Sequence, residues 1–279
     1  KYIVNDKNIF LLEDCALTLG SKRNGVVAGN FGDAALFSSD HSKPINTMIG
    51  GIIYTKDKKL ESLLRRSRDL CKELPIKKQY ALWVRFLIER RLCNSRHYGK
   101  MQLVDILYSV GKKFFRITDP FLVDDYKLDQ DIEKNPYPAK IPTFLAQLGI
   151  YDIIRWQSNL TSQKKISHSL IEELNKTSIQ KYLPKAYNNS SLDIIPFRIA
   201  WSEPNGQERR DNFSSFIRVD WTWFMAPIIS TKDSIEELGY VYGSCPNSEK
   251  ITIGMVNLPT NLLLKEKYGL LAKLNLLLN

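Results

Sequence analysis

Five residues between positions 14 and 51 have the types and the order that suit covalent cofactor chemistry. An apolar run ends at Ser38, Lys43 follows five residues later, and Gly50 and Gly51 open the next apolar run. The carboxylate of Asp14 stands at the end of an earlier apolar run. A lysine amine is a nucleophile only without its proton, so its site must lower its pKa by burial or by a nearby cation. The arrangement suits a lysine that holds an aldehyde cofactor as a Schiff base.

Three segments of the chain resemble one enzyme family. They read Glu-Asp-Cys-Ala-Leu-Thr-Leu-Gly at 13–20, Gly-Asn-Phe-Gly-Asp-Ala-Ala-Leu-Phe-Ser at 29–38, and His-Ser-Lys at 41–43 with the two glycines at 50–51. Residues 9–65 thereby resemble the DegT/DnrJ/EryC1/StrS aminotransferases. These are pyridoxal-phosphate enzymes of the aspartate-aminotransferase fold that aminate keto-sugars on nucleotide carriers. Beyond about residue 140 the similarity is weaker but keeps the family's order.

The resemblance implies a role for each of the five residues. Lys43 would hold pyridoxal 5'-phosphate and then shuttle a proton, and Asp14 would pair with the protonated pyridine nitrogen; these two are the predicted catalytic residues. Ser38 would donate to the cofactor phosphate, and Gly50 and Gly51 would let the backbone approach closely. Each has a plainer alternative: a solvated loop lysine, a surface carboxylate capping the next connection, a serine bonded to local backbone, and an ordinary turn.

Three places depart from the family pattern. Leu17 stands where the family has Gln or His, residues 48–49 read Met-Ile in place of Gly-Glu, and residues 138–140 read Pro-Ala-Lys in place of Asn-Tyr-Arg. Each change removes a polar group that could touch cofactor or substrate. His41, two residues before the lysine, is interpreted as a loop histidine with a local hydrogen bond.

Three functions follow as hypotheses. The first is a pyridoxal-phosphate aminotransferase of nucleotide-linked keto-sugars, with an amino acid as nitrogen donor, in surface-polysaccharide biosynthesis of the O-antigen or capsule type. The second is a related sugar dehydratase; those enzymes replace the lysine with histidine, so Lys43 speaks against it. The third is a catalytically silent or divergent homologue that acts as a binding or partner subunit, which Leu17 and Ile49 favour.

Composition narrows the class of protein. The chain has 279 residues, 43% hydrophobic and 25% charged, which is ordinary for a globular protein. Its four cysteines lack C-x-x-C spacing and its three histidines are scattered, so we expect neither a disulfide framework nor a metal site. No run of 18 apolar residues occurs and no signal peptide leads the chain, which predicts a cytoplasmic protein.

The pattern of apolar residues predicts an α/β fold in two domains. We expect strands at 9–12 (buried and parallel), 34–37 and 51–55, and helices at 58–70, 77–93 and 100–116. Thr143 should cap a long helix over 144–175, and strands should follow at 194–200 and 215–219. The long helix should turn five apolar side chains inward: Leu145, Leu148, Ile150, Ile153 and Ile154. Residues 124–142 are expected to be a loop.

The resemblance assigns these elements to domains of the family fold (PLP fold type I). Residues 1–142 would be the C-terminal part of the cofactor-binding large domain, with a basic helical insertion at about 76–117. Residues 143–279 would form the bridging helix and the small C-terminal α/β domain. The family fold has a further part of the large domain before the Glu-Asp motif, so we expect this chain to be a fragment or truncated relative, inactive alone and prone to associate, as family members do in homodimers.

The formal net charge of +10 is concentrated in the predicted insertion. Residues 77–116 carry ten Lys or Arg against Glu89 and Asp105, and aromatic side chains at Trp83, Phe86 and 114–115 lie among them. So local an excess does not indicate nucleic-acid binding. Cations beside aromatics suit the headgroup layer of an anionic membrane. The alternative is a helical hairpin whose apolar stripes pack on its own domain or on a dimer mate.

Overall fold

The computed structural model describes residues 9–40, 43–92, 110, 137–214, 227, 235–236 and 239–260. The chain divides into two compact units. The first lies within Lys1–Leu19 and Gly29–Gln157, and the second within Gly20–Ala28 and Ser158–Asn279. The division between the units falls inside the long helix that was predicted to bridge two domains.

The elements follow one another in a mixed α/β order. The strands are β1 Leu12–Asp14, β2 Lys22–Arg23, β3 Val26–Val27, β4 Ala34–Ser38, β5 Gly51–Thr55, β6 Lys72–Glu73, β7 Ala139–Lys140, β8 Leu192–Asp193, β9 Arg198–Ser202 and β10 Met255–Pro259. The described helices are α1 Lys58–Leu70, α2 Ile76–Leu92, α3 Thr143–Leu174, α4 Gly206–Ser214 and α5 Pro246–Gly254, with short 3-10 turns at Ser178–Tyr182 and Lys185–Asn188.

The first unit contains a three-stranded sheet in the order β1-β4-β5. β1 runs parallel to β4, and β4 runs antiparallel to β5. The predicted strands at 34–37 and 51–55 are confirmed. The first strand was predicted too early and too buried: pairing begins at Leu12, opposite Ala34, and Leu12 is 53% exposed. Before it, the Leu11 N–H donates to the Asp33 carboxylate at 2.7 Å, so this backbone group bonds a side chain and not a strand.

One helix of this unit, α1, contacts β5, and a second, α2, contributes to a small apolar core. α1 has the predicted bounds, and the Asp57 carboxylate caps it by accepting from the N–H groups of Lys59 and Leu60. α2 begins one residue earlier than predicted and is described as far as Leu92. One core cluster of this unit includes four fully buried side chains: Met48, Leu74, Leu82 and Leu145. The predicted helix at 100–116 lies outside the described residues apart from Val110.

The long helix α3 agrees with its predicted span to one residue at each end. Of the five side chains predicted to face inward, two do so. Leu145 is fully buried and Leu148 packs on the core, but Ile150, Ile153 and Ile154 are exposed, the last by 75%. The three isoleucines lie away from the face of the helix that carries Leu145.

The second unit packs around the C-terminal part of α3. β9 and β10 pair antiparallel, and β2 pairs antiparallel with both β3 and β8. The strand predicted at 194–200 lies at Arg198–Ser202, and the one predicted at 215–219 falls outside the described residues. The core of this unit includes Leu170, Ile199, Trp201, Phe213 and Leu258. Among the described residues, no helix is long and apolar enough to cross a membrane.

Candidate functional site

Strand direction gathers three of the predicted site residues at one edge of the β1-β4-β5 sheet. Because β1 and β4 are parallel, Asp14 at the end of β1 lies opposite Leu36, two residues before the end of β4 at Ser38. Because β4 and β5 are antiparallel, Ser38 lies opposite Gly51, where β5 begins. The loop between these two strands, residues 39–50, carries Lys43 and is called the lysine loop below. Ligands of open α/β sheets bind at this kind of edge.

Lys43 is buried although it lies in a loop, with 8% of its surface exposed. Its backbone N–H donates to the carbonyl of Asp40 at 2.8 Å, which closes a tight turn. Burial lowers the pKa of the Lys43 amine below its ordinary value. The carboxylates of Asp40 and Asp14 act in the opposite direction, because a nearby negative charge raises the pKa of an ammonium group. A lysine in this setting yields its proton more readily than one in solvent, which is the condition for a nucleophilic amine.

Asp14 is exposed at the sheet edge and lies close enough to Lys43 to influence its charge. Its carboxylate accepts a hydrogen bond from the N–H of Ala16 at 3.0 Å. That bond caps the connection that follows β1, which agrees with the alternative of a surface carboxylate that caps this connection. A carboxylate has lone pairs for several further donors, so this contact leaves Asp14 able to bind a cationic group.

Glu13, the other half of the Glu-Asp motif, holds the backbone of the connection before β4. Its carboxylate accepts from the N–H groups of Gly29 at 2.9 Å, Phe31 at 2.6 Å and Gly32 at 2.7 Å. Successive side chains of a strand point to opposite faces, so Glu13 and Asp14 serve different partners. The sequence predicted no role for Glu13. The glycines of the 29–32 segment were the available signal, since a turn there leaves N–H groups that need an acceptor.

The hydroxyl groups of Ser38 and Ser39, at and directly after the end of β4, have different partners. Ser38 Oγ accepts from the Asp40 N–H over a long 3.4 Å, so it takes part in local backbone bonding. Ser39 is buried, and its Oγ lies 2.6 Å from the Thr47 hydroxyl across the lysine loop. The Thr47 N–H donates to the Ser39 carbonyl at 2.8 Å. These bonds join the two ends of the loop and fix its width. Neither Ser39 nor Thr47 was singled out in the sequence.

The second half of the lysine loop contains two residues with positive φ. Gly50 has φ +120°, and Met48 has φ +63°, a conformation that an L-residue adopts only at a cost. Met48 is 1% exposed within the core of the first unit. Gly51 has no such backbone requirement, but a Cβ there would lie 3.2 Å from the Phe37 carbonyl. The glycine that the family has at position 48 would adopt this φ freely, and the methionine here is held by its buried side chain.

The other departures from the family pattern are accommodated without polar contacts to the sheet edge. Leu17 is exposed on the connection after β1, and Ile49 packs on the core beside Met48. Lys140, in the short strand β7, forms a 3.4 Å ion pair with Glu73 of the paired strand β6. The segment predicted as a loop therefore contains a strand. His41 lies outside the described residues. Within the part of the chain that the structure describes, no group of three or more His, Cys, Asp or Glu side chains is placed to hold a metal ion.

Comparisons with known proteins agree with this geometry. Residues 1–85 match the model of the DegT/DnrJ/EryC1/StrS aminotransferase family, which confirms the resemblance seen in the sequence. The GDP-perosamine synthase of Escherichia coli O157:H7 is 43% identical over 58 residues, which make up 21% of this chain and 16% of that protein. The chain thus matches only a small part of the length of this relative.

Two solved structures illustrate the fold. A DegT/DnrJ/EryC1/StrS aminotransferase from Brucella abortus has a TM-score of 0.59 and 14% identity, over 100% of this chain and 60% of that chain. The E. coli GDP-4-keto-6-deoxy-D-mannose-3-dehydratase, solved with bound hydrated PLP, has a TM-score of 0.56 and 16% identity, over 98% of this chain and 62% of that chain. The predicted fold class is therefore confirmed: this chain has the α/β architecture of PLP fold type I over part of that fold's length.

Proposed function

We propose that this chain is part of a pyridoxal-phosphate-dependent aminotransferase that acts on nucleotide-linked keto-sugars. The observation that carries the proposal is the burial of Lys43 at the sheet edge, beside the carboxylate of Asp14. The family match over residues 1–85 covers every residue of this arrangement. Three groups lie at one sheet edge: the Lys43 amine with its lowered pKa, the Asp14 carboxylate, and Ser38 at the end of β4. This set suits pyridoxal phosphate better than it suits a metal ion or a phosphate alone.

The donor groups at this sheet edge fit pyridoxal 5'-phosphate. When bound, this cofactor supplies an aldehyde that condenses with an amine and a ring that takes up an electron pair. Lys43 Nζ would hold the aldehyde carbon, and the Asp14 carboxylate would keep the ring nitrogen protonated. Ser38 Oγ would donate to the phosphate, and Gly50 and Gly51 would leave the backbone open to it. Of these groups, Lys43 is the one whose pKa is lowered by burial.

The proton chemistry follows from the environment of Lys43. Burial favours the neutral amine, so Nζ can accept a proton from a substrate carbon without first losing one to solvent. The same nitrogen can then return that proton to a neighbouring carbon. Asp40 and Asp14 limit how far the pKa falls, which keeps the protonated form within reach. A group that can exist both with and without its proton can serve both steps.

The substrate class is inferred from the relatives. The perosamine synthase and the deoxymannose dehydratase are both named for GDP-linked sugars. We therefore propose a nucleotide-linked keto-sugar as amino acceptor, an amino acid as donor, and surface-polysaccharide biosynthesis in the cytoplasm as the setting. Aminotransfer exchanges the donor's amino group for the keto oxygen of the sugar.

Borohydride reduction tests the proposal directly. The protein, with any remaining part of its large domain, is incubated with pyridoxal phosphate, reduced and mapped by peptide mass spectrometry. We expect a pyridoxyl group on Lys43, its loss in Lys43→Ala with turnover abolished, and an unchanged result in Lys59→Ala, which alters an exposed lysine of α1. A pyridoxyl group elsewhere would contradict the site, and none at all would favour a silent partner subunit.

We also propose that the functional assembly is a homodimer. Apolar side chains are exposed on the β1-β4-β5 sheet at Leu12, Leu36 and Ile53, and on α3 at Ile150 and Ile154. Large exposed apolar patches are unusual in monomeric proteins and mark contact surfaces. Light scattering should show an assembly larger than one chain. A well-behaved, active monomer of the 279 residues would contradict this part.

We also propose that the basic segment 77–116 contacts an anionic membrane. The exposed side chains of α2 indicate which residues would make this contact. Ile76, Tyr80, Trp83 and Leu87 are exposed at the spacing of one helical stripe. Arg85 is one of the ten basic residues that were predicted to face the membrane, but it is 4% exposed and therefore buried within the protein. Trp83 and Tyr80 suit the interfacial layer of a bilayer. Sedimentation with anionic against neutral liposomes should favour the anionic ones, and Trp83→Ala should weaken it; equal partitioning would leave only a packing role.

A further inference from the structure

Three consecutive residues of the lysine loop lie against three successive turns of the long helix α3. Met48 shares the buried core with Leu145. Thr47 faces Gly149, and Asn46 is bonded to Asp152. Positions 145, 149 and 152 are spaced by four and three residues, so they form one stripe along the helix. The loop therefore runs antiparallel to the first turns of α3, and both belong to the first compact unit.

Gly149 is needed for this approach. A Cβ added at this position would lie 2.7 Å from the Cγ2 methyl of Thr47, closer than two carbon atoms can come without displacement. Thr47 cannot easily give way, because its N–H and hydroxyl bond Ser39 at the start of the loop. It is also 3% exposed. Any larger residue at 149 therefore pushes the loop away from the helix.

Asp152 fixes the next residue of the loop. Its Oδ2 accepts from the Asn46 backbone N–H at 3.0 Å, across 106 residues of sequence. The Asn46 side chain in turn accepts from the Met48 N–H at 2.8 Å, which supports the turn where Met48 takes its positive φ. A carboxylate bonded to a backbone N–H is one of the stronger hydrogen bonds in proteins. This bond lies three residues beyond Lys43 and ties that part of the loop to a rigid element.

We propose that Gly149 and Asp152 are positioning residues for Lys43: the face of α3 that they form holds the lysine loop in the conformation that buries its amine. That Lys43 is the reactive amine rests on the proposed function; that its burial depends on α3 does not. The contacts of these two residues are with Thr47 and Asn46 of the loop. Their effect on chemistry would therefore pass through the position of Lys43, and its titration is the property that reports that position.

The first experiment pairs a clash with its relief. Gly149→Ala introduces the Cβ that meets the Thr47 methyl, and Thr47→Ser removes that methyl while keeping the hydroxyl. Acetic anhydride labelling of the full chain, read by mass spectrometry over a pH series, gives the titration midpoint of Lys43, with exposed Lys59 as internal reference. We expect the Lys43 midpoint to lie below that of Lys59, to rise toward it in Gly149→Ala, and to return in the double variant Gly149→Ala/Thr47→Ser.

The second experiment separates the Asp152 bond from general damage to the helix. Asp152→Ala removes the acceptor, whereas Asp152→Asn keeps a carbonyl oxygen that can accept from the Asn46 N–H. We expect the Lys43 midpoint to rise in the alanine variant and to stay close to the original in the asparagine variant, with Lys59 unchanged in both. If an alanine variant fails to fold, its asparagine or double-variant counterpart still gives the comparison.

Two outcomes would overturn the inference. One is a Lys43 midpoint that Gly149→Ala and Asp152→Ala leave unchanged in folded protein. The other is an original Lys43 that titrates together with Lys59, because docking would then have no effect on the amine. Failure of the proposed function is distinguishable from both: pyridoxal phosphate would not become attached to Lys43, while the labelling comparison, which needs no cofactor, would still show the dependence on α3.

Discussion

The positive φ of Met48 leads to a prediction about stability. At this position glycine should be more stabilising than alanine, which is the reverse of the usual order. Glycine in most ordered positions is less stabilising than alanine by about 0.5–1 kcal/mol, because it loses more conformational freedom on folding. At Met48 the φ of +63° costs an L-residue roughly 1–2 kcal/mol that glycine does not pay. Met48→Ala loses the buried side chain, at about 2–5 kcal/mol, and keeps this strain. Met48→Gly loses the same side chain but relieves the strain.

We therefore expect Met48→Gly to be less destabilising than Met48→Ala by roughly 1 kcal/mol, about a fivefold difference in the unfolding equilibrium. Urea unfolding of the two variants measures the difference at one site, so most errors of extrapolation cancel. Leu145 is the matched control, since it lies in the same core on helix α3. There, the glycine variant should be the less stable by about 1 kcal/mol. A Met48→Gly protein less stable than Met48→Ala would show that the positive φ at this position does not strain an L-residue.

Two further predictions concern other contacts. Glu13→Gln replaces a two-oxygen acceptor of three N–H groups by an amide with one acceptor oxygen, so we expect a loss of about 1–3 kcal/mol in thermal unfolding, with exposed Asp57→Asn of the α1 cap losing less. Tyr240 donates to Glu249 at 2.6 Å, and its burial and this bond raise its pKa to about 12. Since the folded state favours the protonated phenol, its contribution to stability is complete below about pH 10 and is lost as pH rises through 12. Tyr240→Phe should remove the corresponding absorbance step near pH 12; an unchanged step would show that another tyrosine is responsible.

The sequence predicted the regular elements well, because apolar periodicity and turn residues are local signals. α1 and α3 were placed to within one residue, and β4 and β5 were recognised from short apolar runs. The burial of those elements was less predictable. Leu12 in β1 was predicted to be buried but is exposed. A strand-like run of apolar residues indicates the backbone conformation, but it does not indicate whether another element covers the side chains.

The packed face of α3 shows the same limit more sharply. Apolar spacing predicted five inward side chains, of which Leu145 and Leu148 do pack on the core. The three isoleucines at 150, 153 and 154 are exposed. The face that meets the lysine loop is marked by a glycine and an aspartate, Gly149 and Asp152, whose partners are about a hundred residues away in sequence. A search for apolar stripes cannot detect a contact that needs a missing side chain and a carboxylate. Asp14, Ser38, Lys43 and the glycine pair were found because the family resemblance is carried by those residues.

The pattern of retained and altered positions bears on whether the chain has lost its chemistry. Asp14 and Lys43, which the resemblance places on the cofactor ring and aldehyde, are present, and the fold buries the lysine. At position 48 the backbone takes a conformation natural to glycine, although the residue is methionine. The altered residues Leu17 and Ile49 lose polar groups without disturbing that arrangement. A silent subunit has no need for a buried lysine with a lowered pKa, because burying an amine costs stability. We therefore propose, as an extension of the proposed function, a divergent substrate in place of a silent subunit. This proposal predicts that pyridoxal phosphate attaches to Lys43 even where a common keto-sugar is not turned over.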